Sequence, residues 1–123
     1  MTTTTADLYP LFARLRDRLV VVIGAGPVAA DKATALLAAG ARVRLIAPVW
    51  SARAAALPVE RVEREFVAAD LDEAWLIVAA APPAINRAVQ AAADARQKLV
   101  IAVDDPEHGS AYGAATFVRG GVT

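Results

Sequence analysis

The stretch that decides the fold is residues 20–33, VVVIGAGPVAADKA. An apolar run stops at a glycine, and a pattern of small residues at helical spacing follows at once. Gly24, Gly26 and Ala29 fit the G-x-G-x-x-G/A spacing. The first glycine allows a tight turn, the second lets a pyrophosphate approach the backbone, and the third small residue lets helix and strand pack closely. The stretch therefore predicts a strand, a glycine turn and a helix whose N-terminus faces phosphate.

Strand-like and helix-like segments alternate along the rest of the chain. Apolar runs predict strands at 19–23, 42–47, 62–66, 75–80 and 99–103. Ala-rich stretches predict helices at 27–39, 51–57 and 83–97, with one helical turn at 70–73 and a lead-in at 8–15 that can pair at a sheet edge. This alternation predicts an α/β fold, a Rossmann-like doubly wound parallel sheet of order 3-2-1-4-5 with helices on both faces.

Composition narrows the function classes. Hydrophobic residues make up 57% of the 123 residues but aromatic residues only 6%, a balance that suits helices packed on a buried parallel sheet. The formal net charge is zero and the basic residues are scattered, so we expect no nucleic-acid partner. With no cysteine and one histidine, we expect neither a disulfide nor a metal site.

The beginning of the chain, MTTTTADLYP, lacks the charged and apolar regions of a signal peptide. No apolar run approaches the roughly 20 residues that span a bilayer. We therefore predict a cytoplasmic protein without a membrane partner. Residues 1–7 are expected to be a disordered tail.

The cofactor expected at the glycine turn is NAD or NADP. The acid that usually holds the ribose about 20 residues further on is missing, because the second strand ends in Leu-Ile-Ala-Pro. Backbone groups near Pro48 and Val49 can take that role, or a nearby basic residue can favour a 2′-phosphate. These basic candidates are Arg42, Arg44 and Arg53. The residues alone do not choose between the two cofactors.

Small residues end the strand predicted at 75–80. Ala80 and Ala81 leave room for a ligand against the backbone, although they suit tight packing equally well. Asn86 can reach the same crevice or can help to cap the following helix. Trp50 and Trp75 are predicted to be packing residues rather than stacking platforms.

An aspartate follows the last predicted strand. Asp104 falls at the carboxyl end of that strand, the edge that faces the ligand in an open α/β sheet. It can act as a general base beside an apolar ring system. Alternatively, Asp105 caps a helix that begins at Pro106, and Asp104 is a solvated neighbour. His108, three residues beyond Asp105, is expected to be a surface residue.

Four segments together resemble a known family: YPLFARLRDR at 9–18, the long stretch at 20–48 that contains the glycine turn, ADLDEAWLIVAA at 69–80, and INRAVQAAADARQKLVIAVDDP at 85–106. Their order and spacing are similar to those of the N-terminal domain of siroheme synthase and of the free-standing precorrin-2 dehydrogenases. The resemblance covers about residues 8–123.

The resemblance implies oxidation of a tetrapyrrole, precorrin-2, to sirohydrochlorin with NAD, and in some members iron insertion. It implies NAD contacts from two loops, at Gly24, Gly26, Pro27, Val28, Pro48 and Val49. It implies that Asp104 is the general base, which takes a proton while hydride leaves for the nicotinamide. In members that insert iron, the same carboxylate is thought to help remove pyrrole protons.

Departures from the family pattern concern the crevice and the end of the chain. The residues at 81–83 replace a Thr-Asp-Asp-like run, Ile101 replaces an asparagine, and 110–114 replace a Ser-Phe-x-x-Pro-like segment. The resemblance predicts an NAD-binding domain at 8–118 and the start of a truncated dimerisation region at 119–123, with a homodimer in the full-length form. The alternative is a non-catalytic NAD(H)-binding regulatory module, which these departures suit.

Overall fold

A five-stranded parallel sheet organises the computed structural model, which describes residues 7–103. The strand order is β3-β2-β1-β4-β5, so the predicted doubly wound order and the α/β class are confirmed. The strands are β1 (Leu19–Ile23), β2 (Arg42–Ile46), β3 (Glu60–Val62), β4 (Leu76–Ala79) and β5 (Val100–Ala102).

Three helices and one 3-10 turn connect the strands: α1 (Pro27–Ala38), α2 (Ala52–Ala55), α3 (Pro83–Ala95) and the 3-10 turn Ala68–Leu71. Proline is the first residue of α1 and of α3, where its missing N–H costs no helical hydrogen bond. The hydroxyl of Ser51 caps α2 by accepting a hydrogen bond from the Ala54 N–H at 3.1 Å.

The core has two halves because β1 is buried on both faces. Val20 and Val22 face the cluster that contains α1 and α2, whereas Val21 and Ile23 face the cluster that contains α3 and the 3-10 turn. Consecutive residues of a strand point to opposite faces of the sheet. Helices therefore cover both faces of the sheet, as predicted.

Two segment predictions need correction. The third strand lies at Glu60–Val62 rather than at 62–66, because β2 selects the register, with Ile46 opposite Val62. The alternating charged sequence around it fits either register. The lead-in at 8–15 forms no strand. It leads into β1, which lies between β2 and β4 at the centre of the described sheet rather than at an edge.

Within residues 7–103, no helix is long and apolar enough to cross a membrane. No group of three or more potential metal-binding side chains occurs in that range either. The predictions for the tail before residue 7, for 119–123, and for Asp104 and His108 lie outside the described residues.

Candidate dinucleotide-binding site

The three central strands end at the same edge of the sheet. Ile23, the last residue of β1, lies opposite Ile46 of β2 and Ala79 of β4. The segments that follow these strands carry the cofactor residues predicted from the sequence: Gly24 and Gly26 in the turn after β1, Pro27 and Val28 at the start of α1, Pro48 and Val49 after β2, and Ala80 and Ala81 after β4. The fold therefore brings all eight to the edge where open α/β sheets bind ligands.

The first glycine is fixed by backbone packing on both sides. Its φ is +127°, and its N–H donates to the Ile46 carbonyl at 3.0 Å. A Cβ added to Gly24 would lie 2.8 Å from the carbonyl carbon of Ala80 and 3.3 Å from the amide nitrogen of Ala81. No side chain fits in that space, so Gly24 is required for the β1 loop to pack against the β4 loop.

The second glycine is open to solvent. Gly26 is the N-cap of α1, and a Cβ placed there would meet no atom within 4 Å. The first hydrogen bond of the helix runs from the Ala30 N–H to the Gly26 carbonyl, at 2.9 Å. The N–H groups of Val28 and Ala29 come before that bond, and no acidic residue lies in the first turn. Open backbone at the positive end of a helix fits a pyrophosphate.

The loop between β2 and α2 is held in place by two hydrogen bonds and a contact between an arginine and a tryptophan ring. The indole N–H of Trp50 donates to the Ala47 carbonyl at 2.9 Å, and the guanidinium of Arg61 lies 4.6 Å from the centre of the Trp50 ring. The Ser51 N–H donates to the carbonyl of Ala25 in the glycine turn, at 2.8 Å. Trp50 is thus a packing residue, as predicted, and it holds this loop against the glycine turn.

Two apolar residues of the same loop remain accessible. Pro48 is exposed, and Val49 is 79% exposed. Across the glycine turn, Val28 is 45% exposed. These residues offer apolar surface for a ring system beside the open backbone of Gly26.

The three arginines considered for a 2′-phosphate lie in different places. Arg42 is the first residue of β2 and lies at the opposite edge of the sheet. Arg44 is in the middle of the strand, where it pairs with Glu60 and lies 3.7 Å from Glu73. Only Arg53 lies beyond the carboxyl edge of β2, and its guanidinium pairs with Asp31 of α1. The sequence pattern did not single out Asp31.

The β4–α3 turn is held by a buried side chain. Asn86 is only 5% exposed, and its side-chain oxygen accepts a hydrogen bond from the Ala81 N–H at 3.0 Å. Asn86 was predicted either to reach the crevice or to help cap the helix. In the structure its side chain holds the turn that leads into α3. The Val103 N–H donates to the Ala79 carbonyl at 3.2 Å, which places the residue before Asp104 at the same edge of the sheet.

Together, the sheet order and the open glycine turn define a dinucleotide-binding domain of the doubly wound class. The chain matches the family described as putative NAD(P)-binding over residues 11–115, and it belongs to that family.

Named relatives extend this result. The chain is 40% identical over 107 residues to a siroheme synthase of Tolumonas auensis, with 85% of this chain and 23% of the relative covered. It is 42% identical over 104 residues to siroheme synthase 1 of Yersinia enterocolitica, with 80% and 22% covered. The structure of SirC, a precorrin-2 dehydrogenase, matches with a TM-score of 0.62 and 26% identity over 68% of this chain and 44% of that chain.

These matches confirm the resemblance found in the sequence. The chain spans less than a quarter of the length of the two siroheme synthases.

Proposed function

We propose that this chain is the NAD-binding domain of a precorrin-2 dehydrogenase in siroheme biosynthesis. One observation carries the proposal: the open backbone of Gly26 at the N-terminus of α1, in a chain about 40% identical to siroheme synthases over most of its length. The reaction oxidises precorrin-2 to sirohydrochlorin. NAD supplies the hydride acceptor when it is bound.

The cofactor half of the proposal assigns roles to three loops. The backbone at Gly26 and the N–H of Val28 bind the pyrophosphate, which the positive end of α1 attracts. Pro48 and Val49 contact the adenosine half through their backbone and apolar surface. Ala80 and Ala81 let the rest of the dinucleotide approach the strand end, since their side chains are small.

The chemical half of the proposal assigns the general base to Asp104. The N–H of its neighbour Val103 donates a hydrogen bond to the Ala79 carbonyl at the strand edge, next to Ala80 of the cofactor site. A carboxylate at that edge can accept the proton that precorrin-2 loses while its hydride leaves. A cytoplasmic location, a tetrapyrrole substrate and a homodimer in the full-length form belong to the same proposal, and sedimentation of the full-length protein tests the dimer.

The decisive experiment combines binding and turnover on one sample. NAD is titrated calorimetrically into the purified chain, and precorrin-2 oxidation is then followed by the absorbance of sirohydrochlorin. We expect NAD binding and NAD-dependent turnover. In Asp104→Asn, turnover should fall at least about a hundredfold, the usual contribution of a general base, with NAD affinity unchanged. His108→Asn serves as the control because His108 is expected from the sequence to have no role in the site, so its replacement should leave both quantities unchanged.

Each other result has a definite meaning. NAD binding without turnover would mean that this chain is the cofactor domain alone, and turnover by a longer form of the protein would then distinguish the dehydrogenase from the non-catalytic NAD(H)-binding module. Turnover that survives in Asp104→Asn would keep the reaction and remove Asp104 from it. Failure to bind any nicotinamide dinucleotide would overturn the whole proposal.

A further inference from the structure

The site lacks the residue that most often recognises the ribose of the cofactor. A carboxylate at the end of the second strand usually accepts a hydrogen bond from the ribose 2′-hydroxyl and repels a 2′-phosphate. Here β2 ends at Ile46 and is followed by Ala47, Pro48 and Val49. None of these side chains can select between NAD and NADP by charge.

A charged pair lies next to this loop. Arg53 is the second residue of α2, and Asp31 is the fifth residue of α1. Their side chains form an ion pair, which bridges the two helices that begin after the β1 and β2 loops. The Ser51 N–H, two residues before Arg53, is bonded to Ala25 of the glycine turn at 2.8 Å. The pair therefore borders the region where the adenosine half of a dinucleotide would lie.

We propose that Asp31 makes this site select NAD over NADP by neutralising Arg53. The inference rests on the proposed function, because it concerns the same cofactor site. A guanidinium without a carboxylate partner binds a phosphate dianion through two parallel hydrogen bonds. Asp31 occupies that guanidinium and adds a negative charge that repels a 2′-phosphate.

Both side chains are accessible to a ligand. The side chain of Arg53 is 57% exposed and that of Asp31 is 62% exposed. An exposed ion pair is weak, so removal of Asp31 should release Arg53 without unfolding the chain. Arg42 and Arg44 do not replace Arg53 in this role, since one lies at the opposite edge and the other is held within the sheet by Glu60.

The test measures the ratio of two dissociation constants. NAD and NADP are titrated calorimetrically into the wild type, Asp31→Asn and the double variant Asp31→Asn/Arg53→Ala, and thermal unfolding checks that each is folded. AMP and 2′,5′-ADP repeat the comparison without the nicotinamide half. We expect the wild type to bind NAD more tightly. Asp31→Asn should bind NADP at least about fivefold more tightly than the wild type does, with NAD affinity nearly unchanged.

Two comparisons identify the cause of the shift. The double variant should lose the gain in NADP affinity if Arg53 receives the phosphate. Asp72→Asn changes the net charge by the same amount, but Asp72 pairs with Arg96 rather than with Arg53. The ratio of the NAD and NADP dissociation constants in this variant should therefore match that of the wild type. The gain in Asp31→Asn should also shrink as salt is raised.

The contrary outcomes separate this inference from the proposed function. If the chain binds NAD but Asp31→Asn leaves the ratio of the NAD and NADP dissociation constants unchanged, the role of Asp31 alone is overturned. An equal shift in Asp72→Asn would also overturn it, because net charge would then explain the effect. Absence of binding by both dinucleotides would overturn the proposed function together with this inference.

Discussion

Gly24 packs directly against the backbone carbonyl group of Ala80. The Ala80 N–H donates to the Ile23 carbonyl at 2.9 Å, so the chain segments after β1 and β4 are tied together where the glycine turn begins. A Cβ on Gly24 would lie 2.8 Å from the Ala80 carbonyl carbon and closer still to its oxygen. The two glycines of the motif therefore have separable tasks: Gly24 allows the strands to meet, whereas Gly26 leaves backbone open for a ligand.

Replacement of each glycine by alanine should separate stability from binding. Gly24→Ala places a methyl group against backbone at a positive φ, and we expect it to lower the free energy of unfolding by about 3 kcal/mol or more. Gly26→Ala has an ordinary φ of −84° and open space, so its cost should be at most about 1 kcal/mol. Its NAD affinity should nevertheless fall about tenfold, since the methyl group fills the approach to the pyrophosphate.

Urea unfolding and NAD calorimetry on both variants provide the measurements. Equal stability of Gly24→Ala and the wild type would contradict the packing described for the turn. Unchanged NAD affinity in Gly26→Ala would contradict the place assigned to the pyrophosphate.

The buried amide of Asn86 should matter through its oxygen. Asn86→Leu leaves the Ala81 N–H without the partner it has at 3.0 Å, and we expect a loss of about 1–2 kcal/mol of stability with weaker NAD binding. Asn86→Asp keeps an acceptor oxygen in the first turns of α3, where the helix dipole favours negative charge. It should recover most of both quantities, as measured by thermal unfolding and titration. No recovery in the aspartate variant would show that an acceptor oxygen at this position does not account for the effect.

Acid should weaken the fold through Asp70. Two hydrogen bonds from the Arg64 guanidinium, at 2.9 and 2.6 Å, hold the pKa of the Asp70 carboxyl below its ordinary value, with a further contribution from the Val67 N–H. Because the folded-state pKa is lowered, this stabilisation is complete above the unfolded pKa of about 3.9 and is lost as pH falls through the folded value.

Asp70→Ala measures this contribution. At pH 7 we expect the variant to be about 1–2 kcal/mol less stable than the wild type, and the gap should narrow below about pH 4. Asp72→Ala is the matched control because Asp72, 60% exposed, forms a surface pair that contributes little. Thermal unfolding from pH 7 to pH 3 shows the trend, and a gap that stays constant to pH 3 would exclude a titrating Asp70.

The sequence predicts the central strands better than the edges of the sheet. Runs such as residues 19–23 are continuously apolar because the strand is buried on both faces. Such a run predicts only one strand position, and the structure confirmed it together with the glycine turn. Glu60–Val62 lies in a stretch of alternating charges, and only its pairing with β2 sets the register. The Asp31–Arg53 pair joins two helices, and no local pattern reveals a contact that depends on how those helices pack.

The C-termini of α1 and α3 share a backbone conformation that the sequence indicates for α1 but not for α3. Both helices end in the same hydrogen-bond pattern: Ala41 N–H to Leu36 carbonyl after α1, and Lys98 N–H to Ala93 carbonyl after α3, at 3.1 and 3.0 Å. This ending places one residue at positive φ. In α1 that residue is Gly40 at +86°, but in α3 it is Gln97 at +55°, which is why α3 was predicted to run to residue 97.

Gln97→Gly should therefore stabilise the protein. A left-handed backbone strains glutamine but not glycine, and we expect a gain of about 0.5–1 kcal/mol after allowing for the greater freedom of glycine in the unfolded chain. Gly40→Ala should have the opposite effect, since it adds a Cβ at positive φ within 3.3 Å of the Arg16 guanidinium carbon. Urea unfolding of both variants measures the pair. A Gln97→Gly variant less stable than the wild type would show that the glutamine side chain contributes more to stability than its backbone strain costs.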